Sequence, residues 1–364
     1  FGLEPGAPEE NGKDMDAQQP FQGEPALEER ARDQPTALIE LLPEPGIQAD
    51  DPMSEAGRKT FRFHYRRMLY HEPGTRQGED IEALHDMRVA TRRMRAAFRV
   101  FGGYFEPKAV ARYSKGLKRT GRALGPVRDL DVFRAKVQAY VSTLPESKQE
   151  SLNGFLSTLE VQRDAARARM IAYLNDAKYA RFVERFGQFV ETEGMGSWPV
   201  TLQDGEPWPH RVRHVAPMAI YERLAAVRAY DEWVTIPDPP LTRLHALRIA
   251  CKRLRYALEF FGEVLGSDTK ALVKEIVTVQ DHLGALQDTV VASAILREYL
   301  QRGTWGTEAV DESQLAPEDA AGVQDYLVAK QSELEQLLDT FPEAWQRITE
   351  TEFSQMVADA VAVL

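Results

Sequence analysis

A single cysteine, Cys251, stands in 364 residues. An internal disulfide framework and a cluster of cysteine metal ligands are excluded, and a reducing compartment, the cytoplasm, is the expected location. No apolar run approaches the roughly 18 residues needed to cross a bilayer, and residues 1–10 lack the basic-then-apolar layout of a signal peptide. The chain starts at Phe1 rather than Met, which leaves an upstream segment open. Strand-like alternation of apolar and polar residues is scarce. There is no glycine-rich phosphate loop and no serine or cysteine triad, so neither a catalytic residue nor a cofactor is expected.

What is present is charge, unevenly spread. The net charge of -11 would argue against a polyanionic partner. Yet residues 1–55 hold 3 basic and 14 acidic side chains, and residues 301–364 hold 3 and 13, which leaves +10 on residues 56–300. That is the sign expected of a region that attracts an anion.

Residues 1–53 are rich in Pro, Gly, Gln and acids and read as a tail or linker. From Ser54 apolar residues recur three and four apart, as in helices, with stops at Pro73-Gly74, Pro107, Gly125-Pro126 and Pro145. The spacing predicts an all-α protein with one helical bundle over 54–190, a linker over 191–209 and a second bundle over 210–362. Separate helices are expected at 108–123 and 128–142, and again at 267–283 and 285–301.

The halves contain a repeat. Leu84 to Phe105 aligns with Leu244 to Leu265 at an offset of 160, with 9 of 22 positions identical. Downstream, Leu124-Gly125-Pro126-Val127-Arg128-Asp129 answers Leu283-Gly284-Ala285-Leu286-Gln287-Asp288 at an offset of 159. A duplicated helix-loop-helix predicts two bundles related by a pseudo-two-fold axis.

On a helix His85, Arg88, Arg92, Arg95 and Arg99 fall within an arc of about 80°. Met87, Ala90, Met94, Ala97, Phe98 and Phe101 form the opposite, apolar face. The second copy offers His245, Arg248, Lys252 and Arg255, with Glu259 in place of the last arginine. Like charges one turn apart repel by a few tenths of a kcal/mol per pair, so a stripe of one sign calls for an anion. Arginine forks and lysine point charges together suit a repeating phosphate chain. Arg58, Arg62 and Arg66 add cations at fourfold spacing, and Arg112, Lys115, Arg119 and Arg122 follow Pro107. If the copies face each other, a basic channel results, and binding in it depends steeply on salt.

The duplicated His-x-x-Arg-x-x-x-Arg/Lys-Arg-x-Arg, with its Leu-Gly-x-x-Arg/Gln-Asp followers, resembles the CHAD domain, the conserved histidine α-helical domain. The resemblance covers about residues 54–362. It implies two helical bundles around a central basic channel that binds inorganic polyphosphate, without established catalysis. By position it carries over to His85, Arg88, Arg92 and Arg95, to His245, Arg248, Lys252 and Arg255, and to Lys115, Arg119 and Arg122. Where the first half has Lys118, Arg119 and Arg122, the second has Val277, Thr278 and Asp281, so the grip should favour the first half. The Glu-x-Glu-x-Lys motif of the triphosphate-tunnel domain to which family members are often fused is absent.

Three rival readings remain. Asp129 and Asp131 form an Asp-x-Asp that could hold magnesium for phosphoryl transfer or polyphosphate hydrolysis. Only Asp288 recurs, with Val290 at the second position, so helix-starting aspartates paired with Arg93 or Arg253 are expected instead. His210 and His214 have metal-ligand spacing, but arginines surround them and Pro209 and Pro217 bracket them, so no metal is expected. His64, His71 and His282 read as packed or surface histidines. Nucleic acid is an unlikely partner, because the stripe lacks base-stacking aromatics; Tyr256, beside the second motif, should bury its ring and use its hydroxyl as a polar handle.

Overall fold

The helical periodicity carries through to the backbone. In the computed structural model, residues 39–198, 205, 208–234, 236, 239–306 and 317–364 are described, and among them there is no strand, only two isolated bridges. Most of the segment read as a tail and part of the 191–209 linker lie outside the described residues. The chain divides after Ile39, and Glu40–Leu364 forms one unit, to which everything below refers.

The first half contributes α1 (Met53–Gln77), α2 (Ile81–Phe101), α3 (Pro107–Val141), α4 (Asn153–Asn175) and α5 (Ala177–Glu191). The second contributes α6 (Val212–Arg228), the single turn α7 (Asp231–Val234), α8 (Leu241–Phe261), α9 (Thr269–Arg302), α10 (Pro317–Gln346) and α11 (Thr351–Val361). Asp80 starts α2 by accepting the Glu82 amide at 2.8 Å, and Gly78, at φ +77°, ends α1 in the left-handed conformation that glycine adopts without strain. No helix among the described residues is long and apolar enough to cross a membrane.

Several expected stops are not stops. α1 runs through Pro73, α3 through Gly125-Pro126 and α9 through Gly284. Proline removes one backbone donor, and at Pro126 that loss is set against the full burial of Leu124 and Val127 on either side of it. The segment before α1 is also more ordered than a tail. Ile47 is buried, and the Gly46 and Ile47 amides donate to the Glu263 carboxylate at 2.8 and 2.9 Å.

Both hydrophobic cores draw on both halves. The larger includes Phe61, Phe98, Phe101 and Phe186 from the first half with Leu254, Phe260 and Phe261 from the second. Phe101 and Phe261, which share one position of the repeat, meet with ring centroids 5.7 Å apart. The smaller core joins α3 and α4 to α9 and α10, with Phe155 against Tyr299 and Trp305. The apolar faces of α2 and α8 are therefore held together, and their polar stripes flank what lies between.

Candidate anion-binding site

Burying Met87, Ala90, Met94 and Phe101 from α2, and Leu247, Leu254 and Phe261 from α8, turns both motif stripes toward the space enclosed by α3, α4, α9 and α10. A cavity of about 820 Å³ results. Arg88 and Arg92 line it from α2, and Arg248 and Lys252 from α8, so two pairs of repeat-equivalent cations share one space. Arg88 lies over Gly125 and Arg248 over Gly284, each about 4 Å from where a Cβ would stand. The Leu-Gly element that follows each motif is therefore the floor on which that motif's first arginine rests.

Sequence reasoning missed three further cations on the wall: Lys136 of α3, Arg169 of α4 and Lys330 of α10. Lys136 had a readable signal, since it stands two helical turns after Asp129 and so shares its face. The others carried none, because periodicity shows which face of a helix is polar and not which neighbour it meets. Seven cations thus line the cavity against two carboxylates, Asp129 and Asp288.

Pairing is uneven around this wall, and Lys330 is held by Glu333 of its own helix. Asp129 Oδ1 lies 2.9 Å from Arg88, and Asp288 lies 2.6 Å from Lys136. The expected pairing of these aspartates with Arg93 or Arg253 is not found, because both sit inside continuous helices on the cavity side and do not start a helix. Arg92, Arg248 and Lys252 have no carboxylate partner among the described residues, and Nε of both arginines is buried without a hydrogen bond. Burial and the charges of Arg248, Arg92, Arg255 and Arg88 push the Lys252 ammonium down to about 8. Burial also lowers Arg92, with neighbouring arginines adding to the effect. Partial desolvation raises the Asp129 carboxyl; Arg88 opposes this and the nearby Asp288 reinforces it. Three cations that depress one another without a carboxylate partner among the described residues would be relieved by an anion.

The remaining predicted residues do not reach this cavity. Gly121 leaves room for the Arg95 guanidinium on α3, and burial, with Arg99 and Arg122 close by, lowers Arg95. Arg99 lines a different cavity, between α2, α6 and α8. Lys115, Arg119 and Arg122 are exposed along α3. Arg255 approaches Glu259 at 3.7 Å. His245 is exposed and its Nδ1 meets Gln287 Oε1 at 2.6 Å; Gln287 lines the main cavity, so this histidine stands one residue back from it. His85 is half-buried and lines no part of the main cavity. Arg58 and Arg66 are engaged by Glu55 and Glu191, at 2.6 and 3.1 Å.

The rival sites look different in three dimensions. Asp129 and Asp131 are about 160° apart on α3, and Asp131 is turned away to Arg163 at 2.9 Å. His210 precedes α6, so it shares no helical face with His214. No group of three or more metal-ligating side chains occurs among the described residues. Tyr256 is buried as expected, stacked on Phe260, but its hydroxyl has no hydrogen-bond partner.

An all-helical protein with a cation-lined cavity between two repeated helices is the class these observations define. A CHAD domain family model matches residues 59–297, about two thirds of the sequence, and the chain belongs to that family. Among solved structures it is similar to the CHAD domain from the plant Ricinus communis, at 26% identity and a TM-score of 0.62, over 85% of this chain and 94% of that one. It also shares its fold with PptA from Streptomyces chartreusis, at 14% identity and a TM-score of 0.58, over 81% of this chain and all of that one. No curated protein matches.

Proposed function

We propose that the central cavity binds inorganic polyphosphate and that the protein is a binding module that does not turn its ligand over. The observation that carries the reading is the convergence of Arg88, Arg92, Arg248 and Lys252, from both motif helices, on one cavity; of these four, Arg88 alone is paired with a carboxylate among the described residues. Membership of the CHAD family supports it. A phosphate chain is thin, uniformly charged and free of apolar surface, which matches a wall of guanidinium and ammonium donors. Nucleic acid fits less well, because Phe133, Trp305 and Tyr326 on the wall are packed into the smaller core and offer no free face to a base.

Titration with polyphosphates of several lengths at two salt concentrations, beside DNA, tests the proposal. Arg88→Ala with Arg92→Ala should weaken binding by at least about a hundredfold, as two charge-assisted contacts are lost, and flatten the salt dependence by about two phosphates' worth. Equal affinity for DNA, or release of orthophosphate, would overturn it.

A further inference from the structure

A second cavity, of about 350 Å³, lies between α2, α6 and α8. Arg99, Arg223 and Arg253 line it against a single carboxylate, Glu222. Arg99 and Arg253 are exposed and pair with no carboxylate of the described residues. Arg223 is fixed by donating to the Ala219 carbonyl at 2.6 Å, while Glu222, 3.7 Å away, has an 81% exposed side chain and is screened by water. Burial lowers the Arg223 guanidinium against the pull of Glu222, and Arg253 adds to the effect. Tyr256, whose buried hydroxyl lacks a partner, belongs to the same wall.

The duplication supplies a control. A cavity of about 390 Å³ between α1 and α2 contains Ala90 and Arg93, the repeat positions of Ala250 and Arg253. There Arg93 is held by Glu259 at 2.8 Å, and Glu259 stands at the repeat position of Arg99. One exchange of sign neutralises the arginine beside one cavity and leaves its counterpart open beside the other.

We infer that the cavity lined by Arg99, Arg223 and Arg253 is a second anion site, separate from the central one, that takes a compact phosphate oxyanion, orthophosphate or pyrophosphate. Three guanidinium forks around less than half the central volume suit a short multivalent anion better than a chain.

Calorimetry on the full chain with orthophosphate, pyrophosphate and long polyphosphate tests this. Arg99→Gln with Arg253→Gln should weaken the tighter-bound small anion by about tenfold or more and leave long-chain binding within about twofold. Arg88→Gln with Arg92→Gln should do the reverse. The inference is overturned if the wild-type protein binds neither small anion saturably, or if small-anion binding is lost with Arg88 and Arg92 and survives loss of Arg99 and Arg253. It is also overturned if the end of a long chain fills this cavity, so that both pairs weaken both ligands together. Should the Arg99 and Arg253 double variant fail to fold, Glu222→Arg at an exposed position must tighten small-anion binding, and unchanged affinity rejects the site.

Discussion

In α2 the polar stripe stays cationic to its end, whereas in α8 Glu259 takes the place of Arg99 and draws Arg93 to 2.8 Å and Arg255 to 3.7 Å. The two helices are each 21 residues long. They present their first two cations to the same cavity, yet only α2 keeps a cation at the last position of the stripe. The sequence repeat places equivalent cations on both helices, and single substitutions change what their last stripe positions meet. The second helix spends its last stripe position on tying the halves together, since Arg93 belongs to α2 and Glu259 to α8. The first keeps an exposed arginine, Arg99, at that position.

The comparison breaks most visibly at Glu259, whose side chain is 17% exposed and contacts two arginines that are 28% and 18% exposed. Glu259→Gln should lower the unfolding free energy by about 1–3 kcal/mol, because two partly buried guanidinium groups lose their counter-charge. Arg99→Gln, at an exposed position without a carboxylate partner, should stay within about 0.5 kcal/mol. Urea titration with unchanged slope separates the two. Equal, small effects would mean that the exchange of sign carries no structural weight.

A smaller effect is expected at Arg92 and Lys252, which share one repeat position. The arginine keeps its charge throughout the working range, but Lys252, pushed down to about 8, loses its proton between pH 7 and 9. Polyphosphate affinity should therefore fall by up to about tenfold over that interval, one pKa unit being worth about 1.4 kcal/mol. Binding at pH 8 should take up protons, read from the buffer dependence of the binding heat, and Lys252→Arg should abolish both effects. The unligated protein should change in the opposite sense. Unfolded lysine titrates near 10.4, so from about pH 8 upward the unfolded state binds more protons and stability rises with pH toward that value.

The central cavity was legible in the sequence because the duplication marked it: Arg88, Arg92, Arg248 and Lys252 stand at repeated positions of repeated helices. Periodicity also gave the helices and their buried faces. It failed where tertiary packing overrode local signals, at Pro73, Pro126 and Gly284, and where helices from distant parts of the chain complete the wall, as Arg169 and Lys330 do. Arg99 shows the limit of a helical wheel. It lies in the same arc as Arg88, but about three turns further along the axis, where α6 and not α9 is its neighbour.

The finest difference between the halves lies on the helices that follow the motifs. Lys115, Arg119 and Arg122 are exposed along α3, while α9 offers Thr278 and Asp281 where α3 has Arg119 and Arg122. None of the three lines the central cavity, although Arg122 lies close enough to Arg95 to help lower it. On the proposed function, they can meet a chain only where it leaves the cavity, on the first half's side. Changing all three to alanine should therefore weaken long polyphosphate by about three- to tenfold, since exposed contacts contribute less than about 1 kcal/mol each, and reduce the salt slope. Chains short enough to remain within the central cavity should bind as before. An equal loss for short and long chains would assign these cations to the general field of the protein, and the lopsided exit from the cavity would have to be given up.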